Sequence, residues 1–385
     1  MLTCQKDKFS LPINEIFLNC ATMAPLMKST EIAGIEAIKV KSDPKLISQD
    51  TFFESNQTLK NSCAKLVNAS ADRIALIPAA SYGMAIIAKN LATKKGLKHG
   101  NHIILVQDEF PSDVYAWDEV CAHKGLRIRT IAPPDNMDNR GKVWNQRLIA
   151  AINTETCLVA ISPVHWADGT LFDLKAIAHA CKLNDALFVI DGTQSVGALP
   201  LDIQEIKPDA LVCAGYKWLM GPYSCGFAYF GPYFDDGSPL EQNWINRVGS
   251  NDFKNLVNYQ SKYRSGAWRY NVGEQSNFIL NPMLNDSIEN LMNWGIDNIQ
   301  EYCKNLVAEP IQKLRNMGYW IENETFRANH LFGIRLPENA DLANIQNKLV
   351  ERNIHISVRG SALRISPHVY NDLADMEALV GALRV

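Results

Sequence analysis

Seven short apolar runs, separated by stretches with helical spacing, constrain this chain more than any other feature. They are "RIALIP" (73–78), "HIILVQ" (102–107), "RIRTIA" (127–132), "CLVAIS" (157–162), "ALFVID" (186–191), "ALVCAG" (210–215) and "CGFAYF" (225–230). Several lack polar alternation, as strands buried on both faces of a parallel sheet do. Between them "YGMAIIAKNLATKKG", "SDVYAWDEVCAHKG" and "DLKAIAHACKLN" carry apolar residues at helical spacing, the first two closed by glycine. A three-layer α/β domain with a mostly parallel sheet follows.

"TFFESNQTLKNSCAKLVNA" (51–69) predicts an amphipathic helix ahead of that sheet. Residues 232–275 show no period and read as a long functional loop region. Helical spacing returns over roughly 282–317, and "HLFGIRLP", "ADLANIQNKLVERN" and "IHISVRG" then give weaker strand and helix signals. The expected division is a large domain over 18–275 and a smaller α+β domain over 276–385, with 1–17 packing on the small one.

A formal net charge of −3, with Lys and Arg scattered, leaves no basic stripe, so neither nucleic acid nor an anionic membrane is an expected partner. The nine cysteines form no CxxC pair and no Cys/His cluster at zinc spacing, so neither a metal site nor a closed disulfide framework is expected. No leader-like segment opens the chain and no run of about 18 apolar residues occurs, which predicts a cytoplasmic protein.

Ligands of open parallel sheets sit beyond the carboxyl ends of the strands. Asp191 closes "ALFVID", Lys217 lies two residues past "ALVCAG", Ser81 follows "RIALIPAA" and Phe110 follows "HIILVQDE". No GxG occurs, so the dinucleotide fingerprint and the phosphate-loop pattern are both missing. Pyridoxal 5′-phosphate fits instead. Its aldehyde needs a lysine amine, its ring nitrogen a carboxylate, and its phosphate the N–H groups and hydroxyls of a helix N-terminus. Lys217, Asp191 and the "AASYG" turn offer all three.

"VIDGTQSVGALPLDI", followed 26 positions after its aspartate by the lysine of "AGYKWLMGP", resembles the class V aminotransferase family of fold-type I pyridoxal-phosphate enzymes. That family includes cysteine desulfurases, kynureninases and isopenicillin N epimerase-like proteins. The resemblance implies Lys217 as the aldimine lysine and proton shuttle, Asp191 on the pyridine nitrogen and Gln194 on the phenolic oxygen. It implies Ser81 and the backbone of Ala80 and Tyr82 around the phosphate, Tyr216 donating to it, Phe110 stacked on the ring, and Trp166, with His165 the weaker candidate, at the cofactor edge. Arg364, assisted by Arg359, would clamp the substrate carboxylate, and Asn19 and Ala21 would line the entrance. Gly273, Glu274 and Ser276 would come from the neighbouring subunit of a homodimer to the phosphate, although the family's usual threonine is replaced by Glu274.

One such site supports transamination, racemisation or β-elimination of an α-amino acid. Only "GSAL" separates Arg359 from Arg364, and the last cysteine is Cys303, so the persulfide-forming thiol of desulfurases has no counterpart. The expectation is a class V-type aminotransferase. A β-eliminating lyase (cysteine/selenocysteine lyase or kynureninase-like) or an epimerase is the alternative among enzymes, and a non-catalytic α/β binding protein the alternative outside them.

Overall fold

A computed structural model describes residues 2–338 and 340–384. After β1 (Ile16–Phe17), α1 (Lys28–Ser42) and α2 (Thr51–Leu66), the chain builds seven strands. These are β2 (Ile74–Ile77), β3 (His102–Val106), β4 (Arg127–Ile131), β5 (Thr156–Ile161), β6 (Leu187–Asp191), β7 (Ala210–Ala214) and β8 (Gly226–Phe230). Every apolar run singled out in the sequence is a strand of one sheet, ordered β2-β8-β7-β6-β5-β3-β4. β8 runs antiparallel to β2 and β7, and the other pairs are parallel.

The missing alternation has a direct cause. Ile104, Val159, Phe188, Ile190 and Leu211 enter the core on one face, while Ile103, Leu158, Leu187, Val189 and Val212 enter the core on the other. Only the edge strand β4 exposes Arg127, Arg129 and Thr130, as an unpaired edge tolerates. The layers come from α3 (Ala80–Leu91), α4 (Ser112–Lys124), α5 (Arg140–Ala151), α6 (Leu174–Leu183) and the short α7 (Ile203–Ile206). α3 and β7 pack so closely that a Cβ on Gly83 would lie 2.5 Å from the Val212 side chain.

The helical stretch expected over 282–317 is two helices, α8 (Leu280–Trp294) and α9 (Ile296–Asn316). Gly295 separates them at φ +81°, where its N–H closes the last turn on the Leu291 and Met292 carbonyls. α8 packs on α1 and α2, and α9 on α11 (Leu373–Ala382). A second sheet, β9 (Phe332–Arg335), β11 (Ser357–Arg359) and β12 (Ala362–Ile365), is antiparallel in the order β11-β12-β9, with α10 (Leu342–Glu351) beside it. β10 (Ile354–His355) pairs in parallel with β1. No helix among the described residues is long and apolar enough to cross a membrane.

Candidate active site

β6 and β7 are neighbours, so their carboxyl ends bring Asp191 and Lys217 to one place. The Thr193 N–H donates to Asp191 Oδ1 at 2.9 Å, and the Thr193 hydroxyl accepts from the Ala214 N–H at 3.1 Å, tying the two strand tips together. Past Ala214 the chain folds tightly: Gly221 N–H donates to the Gly215 carbonyl and Met220 N–H to that of Lys217. That turn aims Lys217 inward. Asp191, Gln194, Tyr216, Lys217, Ala80, Ser81, Phe110 and Trp166 all line one cleft of about 210 Å3, which Ser112, Thr193, Tyr223 and Ser224 also bound.

Lys217 is 7% exposed. Burial pushes its amine down to about 8; the Asp191 carboxyl opposes that shift and the Arg364 guanidinium adds to it. Its Nζ stands 5.3 Å from the Phe110 ring centroid, and Phe110 meets Trp166 edge-on at 5.5 Å. Trp166 is anchored by its Nε1–H, which donates to the Asp108 carbonyl at 2.6 Å. In the same cleft Ala80 and Ser81 open α3; among the described residues their N–H groups have no acceptor and can meet an anion, whereas the Tyr82 N–H already donates to the Ala79 carbonyl at 3.1 Å. The Tyr82 side chain turns the other way, towards Glu241.

Gln194 is held in a fixed orientation. Trp218 Nε1–H donates to its Oε1 at 2.8 Å, so the Nε2 amide must be the donor, and one of its protons goes to the Ala21 carbonyl at 3.1 Å. The second proton is left for the cleft. Gln300 Nε2 lies 2.7 Å from His330 Nδ1, which must accept; His330 Nε2–H therefore donates to the Gln194 carbonyl at 2.9 Å. Burial pushes His330 down to about 4, so the neutral tautomer holds this arrangement at neutral pH.

Arg364 is 1% exposed on β12; it donates to the Trp166 carbonyl at 3.0 Å and to the Thr22 hydroxyl at 2.6 Å. Thr22 passes its own proton to Asn19 Oδ1 at 2.8 Å. Asn19 thus stands one hydroxyl away from the guanidinium. Arg359 lies with its Cζ 5.7 Å from the Trp166 ring. Neither arginine faces a carboxylate among the described ion pairs.

His165 departs from its expected place. It packs against Trp144 at 5.1 Å, and its Nδ1 lies 3.2 Å from Asp168, behind the cleft. Its neighbour Trp166 takes the cleft because the chain turns at this point, the Gly169 N–H closing back on the His165 carbonyl at 2.8 Å. Gly273, Glu274 and Ser276 lie apart from Lys217 in the same chain, in a second cleft with Phe52, Trp244 and Phe278. The sequence reading missed Thr22, Tyr223, Glu109, Asp113, Trp218 and His330. Three acids within "DEFPSD", next to a proposed stacking ring, were the available signal for Glu109 and Asp113.

A buried amine facing an acid, with a flat aromatic wall and a helix N-terminus, on this sheet defines a fold-type I pyridoxal-phosphate enzyme. The fold is shared with the apo cysteine desulfurase of Thermococcus onnurineus NA1 (TM-score 0.82, 19% identity, 99% of this chain and 97% of that one). It is also shared with C-DES bearing glycine covalently linked to its PLP cofactor (TM-score 0.85, 17% identity, 98% of each chain). An uncharacterized aminotransferase of Bacillus subtilis is 25% identical over 326 residues, covering 84% of this chain and 82% of the relative. Isopenicillin N epimerase of Amycolatopsis lactamdurans is 24% identical over 340 residues, covering 85% and 84%. The aminotransferase class-V family profile matches residues 47–384, and the chain belongs to that family. It is a PLP-dependent enzyme.

Proposed function

We propose that this chain is a class V-type aminotransferase acting on an α-amino acid through Lys217. The observation that carries the reading is the shared cleft of Lys217 and Asp191, in which the amine is pushed down to about 8. Pyridoxal phosphate, when bound, supplies the electron sink that makes an amino acid's α-proton removable. Lys217 Nζ would hold its aldehyde carbon and then carry the proton at the substrate α-carbon, a task that needs an amine neutral near working pH. Asp191 would hold the proton of the ring nitrogen and Gln194 Nε2–H the phenolic oxygen. Phe110 would cover one ring face and exclude water, with Trp166 at its edge. Ser81, the backbone of Ala80 and Tyr82, and the Tyr216 hydroxyl would take the phosphate. Arg364, with Arg359 beside it, would clamp the α-carboxylate, and Asn19 and Ala21 would border its approach.

A β-eliminating lyase is the second reading, favoured by the likeness to C-DES, one of whose structures is a cystine C–S lyase with its product cysteine persulfide. Persulfide transfer to a protein thiol is disfavoured: no cysteine among the described residues lines the cleft, and nearby Cys20 is buried and pushed up to about 12. Epimerisation on the same residues is the third outcome.

The homodimer, with Gly273, Glu274 and Ser276 reaching the other subunit's phosphate, and the cytoplasmic location belong to this proposal. So do the large domain 18–275 and the small domain 276–385 with 1–17. The holoenzyme is to be incubated with single amino acids in heavy water, and pyridoxamine phosphate, keto acid, sulfide and α-deuterium measured. Pyridoxamine phosphate with keto acid supports the transaminase; keto acid with sulfide and no pyridoxamine phosphate makes it a lyase. A wild-type protein that shows no visible absorbance beyond that of Lys217→Ala overturns the whole reading.

A further inference from the structure

Behind the Asp191 end of the cleft lies a group of buried acids that the roles above leave unused. Glu109 is 7% exposed, Asp113 2% and Asp191 6%. Glu109 Oε1 accepts the Phe110 N–H at 2.9 Å. Asp113, in the first turn of α4, has no N–H or O–H donor on either carboxyl oxygen among the described residues. The group within its hydrogen-bond reach is the Asp191 carboxyl. Two carboxylates have only acceptor atoms to offer each other, so this contact is a hydrogen bond only if one of them carries a proton.

We propose that Asp113 is a protonated carboxylic acid that donates its hydrogen bond to Asp191, and so positions the carboxylate that faces the cofactor's ring nitrogen. The inference rests on the pyridoxal-phosphate reading of the cleft. Asp191 Oδ1 is already engaged by the Thr193 N–H. A second donor, from Asp113, fixes the rotation of the Asp191 carboxyl. The Asp191 carboxylate would then be presented in one orientation to accept the hydrogen bond of the ring nitrogen.

The surroundings say which acid keeps the proton. Asp113 is the more enclosed of the pair, and burial, then Asp191, then Glu109 push it well above the usual carboxylate range. Lys217 is the cation that opposes this shift, and its own charge is weakened by burial. His165 faces Glu109, and its charge is matched by Asp168. Three carboxylates beside one partly neutral amine cannot all ionise at neutral pH. Asp113 acts through Asp191 and is a positioning residue.

The test is a 13C-carboxyl NMR titration of aspartate-labelled protein before and after cofactor loading, with the Asp113 signal assigned from Asp113→Asn. The expected result is an Asp113 carboxyl still protonated at pH 7 in both forms. Asp113→Asn, which keeps a donor and the same charge, is expected to hold the cofactor dissociation constant within about threefold, and Asp113→Ala to raise it about tenfold, the loss of one charge-assisted hydrogen bond. An Asp113 signal that titrates in the ordinary carboxylate range, or an Asp113→Ala protein with wild-type cofactor affinity, overturns the proposal. If the wild-type protein binds no cofactor the reading of the cleft fails, while the titration of the unloaded protein still decides the protonation of Asp113.

Discussion

Lys217 shows how one residue's surroundings set its chemistry. Burial lowers the amine, Asp191 raises it and Arg364 lowers it again, with the balance at about 8. The neutral fraction of the free amine therefore grows as pH rises to and through that value. Capture of pyridoxal phosphate by the cofactor-free protein should accelerate over the same window. Arg364→Leu removes one of the lowering charges, so the midpoint of this profile should move upward. The same change should cut kcat/KM about 10- to 150-fold, the worth of one hydrogen-bonded charge. A midpoint that stays in place would separate Arg364 from the site. Lys60 carries a second buried amine: its Nζ has no hydrogen-bond partner among the described residues and stands 3.9 Å from the Trp268 ring, and the residue is 0% exposed. Burial, and then Arg264, push it well below its usual value. The unfolded chain thus binds the extra proton between the depressed folded value and about 10.4, and folding stability rises with pH across that window. Lys60→Met should stabilise the protein at pH 7 by ~1–3 kcal/mol and flatten that rise, read by urea denaturation across pH. At this scale Lys217 and Asp191 were legible because strand ends announce them, and Gln194 only through the family resemblance. Trp218 and His330 were not, because His330 reaches Gln194 from 136 residues away.

Among elements, the loop after β5 does more than carry Trp166. Asp168, 5% exposed, meets Arg140 of α5 at 2.9 Å and Arg335 of β9 at 3.4 Å, besides His165. It therefore joins the large sheet's layer to the second sheet next to the segment whose carbonyl holds Arg364. Although burial favours the neutral acid, His165 and Arg140 outweigh it and hold the carboxyl well below the usual range. The stabilisation is complete above the unfolded value of about 3.9 and is lost as pH falls below it. Asp168→Asn leaves Arg140 and His165 without their counter-charge and should cost about 3–5 kcal/mol at pH 7. The deficit should shrink below pH ~4, where the wild type loses the same contribution. A uniform deficit at every pH would mean that shape and not charge matters here. Elements were legible where a short continuous apolar run or a helical period stood out from its flanks, as the runs did for all seven strands. α1 escaped because Ile32, Ile35 and Ile38 of its apolar positions face out, and the break at Gly295 because apolar helical spacing continues on both sides of it.

At the scale of the whole molecule, one chain leaves apolar surface uncovered beside the loop that should serve a neighbour. Trp244 is 41% exposed, Val248 46%, Val257 78% and Tyr259 96%. Trp244 packs edge-on with Phe52 and Phe253, and Phe52 with Phe278 at 4.9 Å, so the patch is continuous with the cleft of Gly273, Glu274 and Ser276. A contiguous apolar surface of this kind is costly unless a partner covers it. The sequence reading found 232–275 only as a functional loop region without period, since the segment is built of short helices (Pro232–Phe234, Phe253–Asn255 and Gly266–Tyr270) joined by irregular chain, none long enough to set one. If two copies cover each other here, sedimentation should give a dimer, and the double variant Val257→Glu, Tyr259→Glu a monomer. That monomer should bind pyridoxal without phosphate as the wild type does, and pyridoxal phosphate more weakly, because only the phosphate end depends on the second copy. A wild-type monomer with full affinity for the phosphate would remove the neighbour from the site. A monomeric variant that loses both ligands equally would place the dimer's role in stability instead.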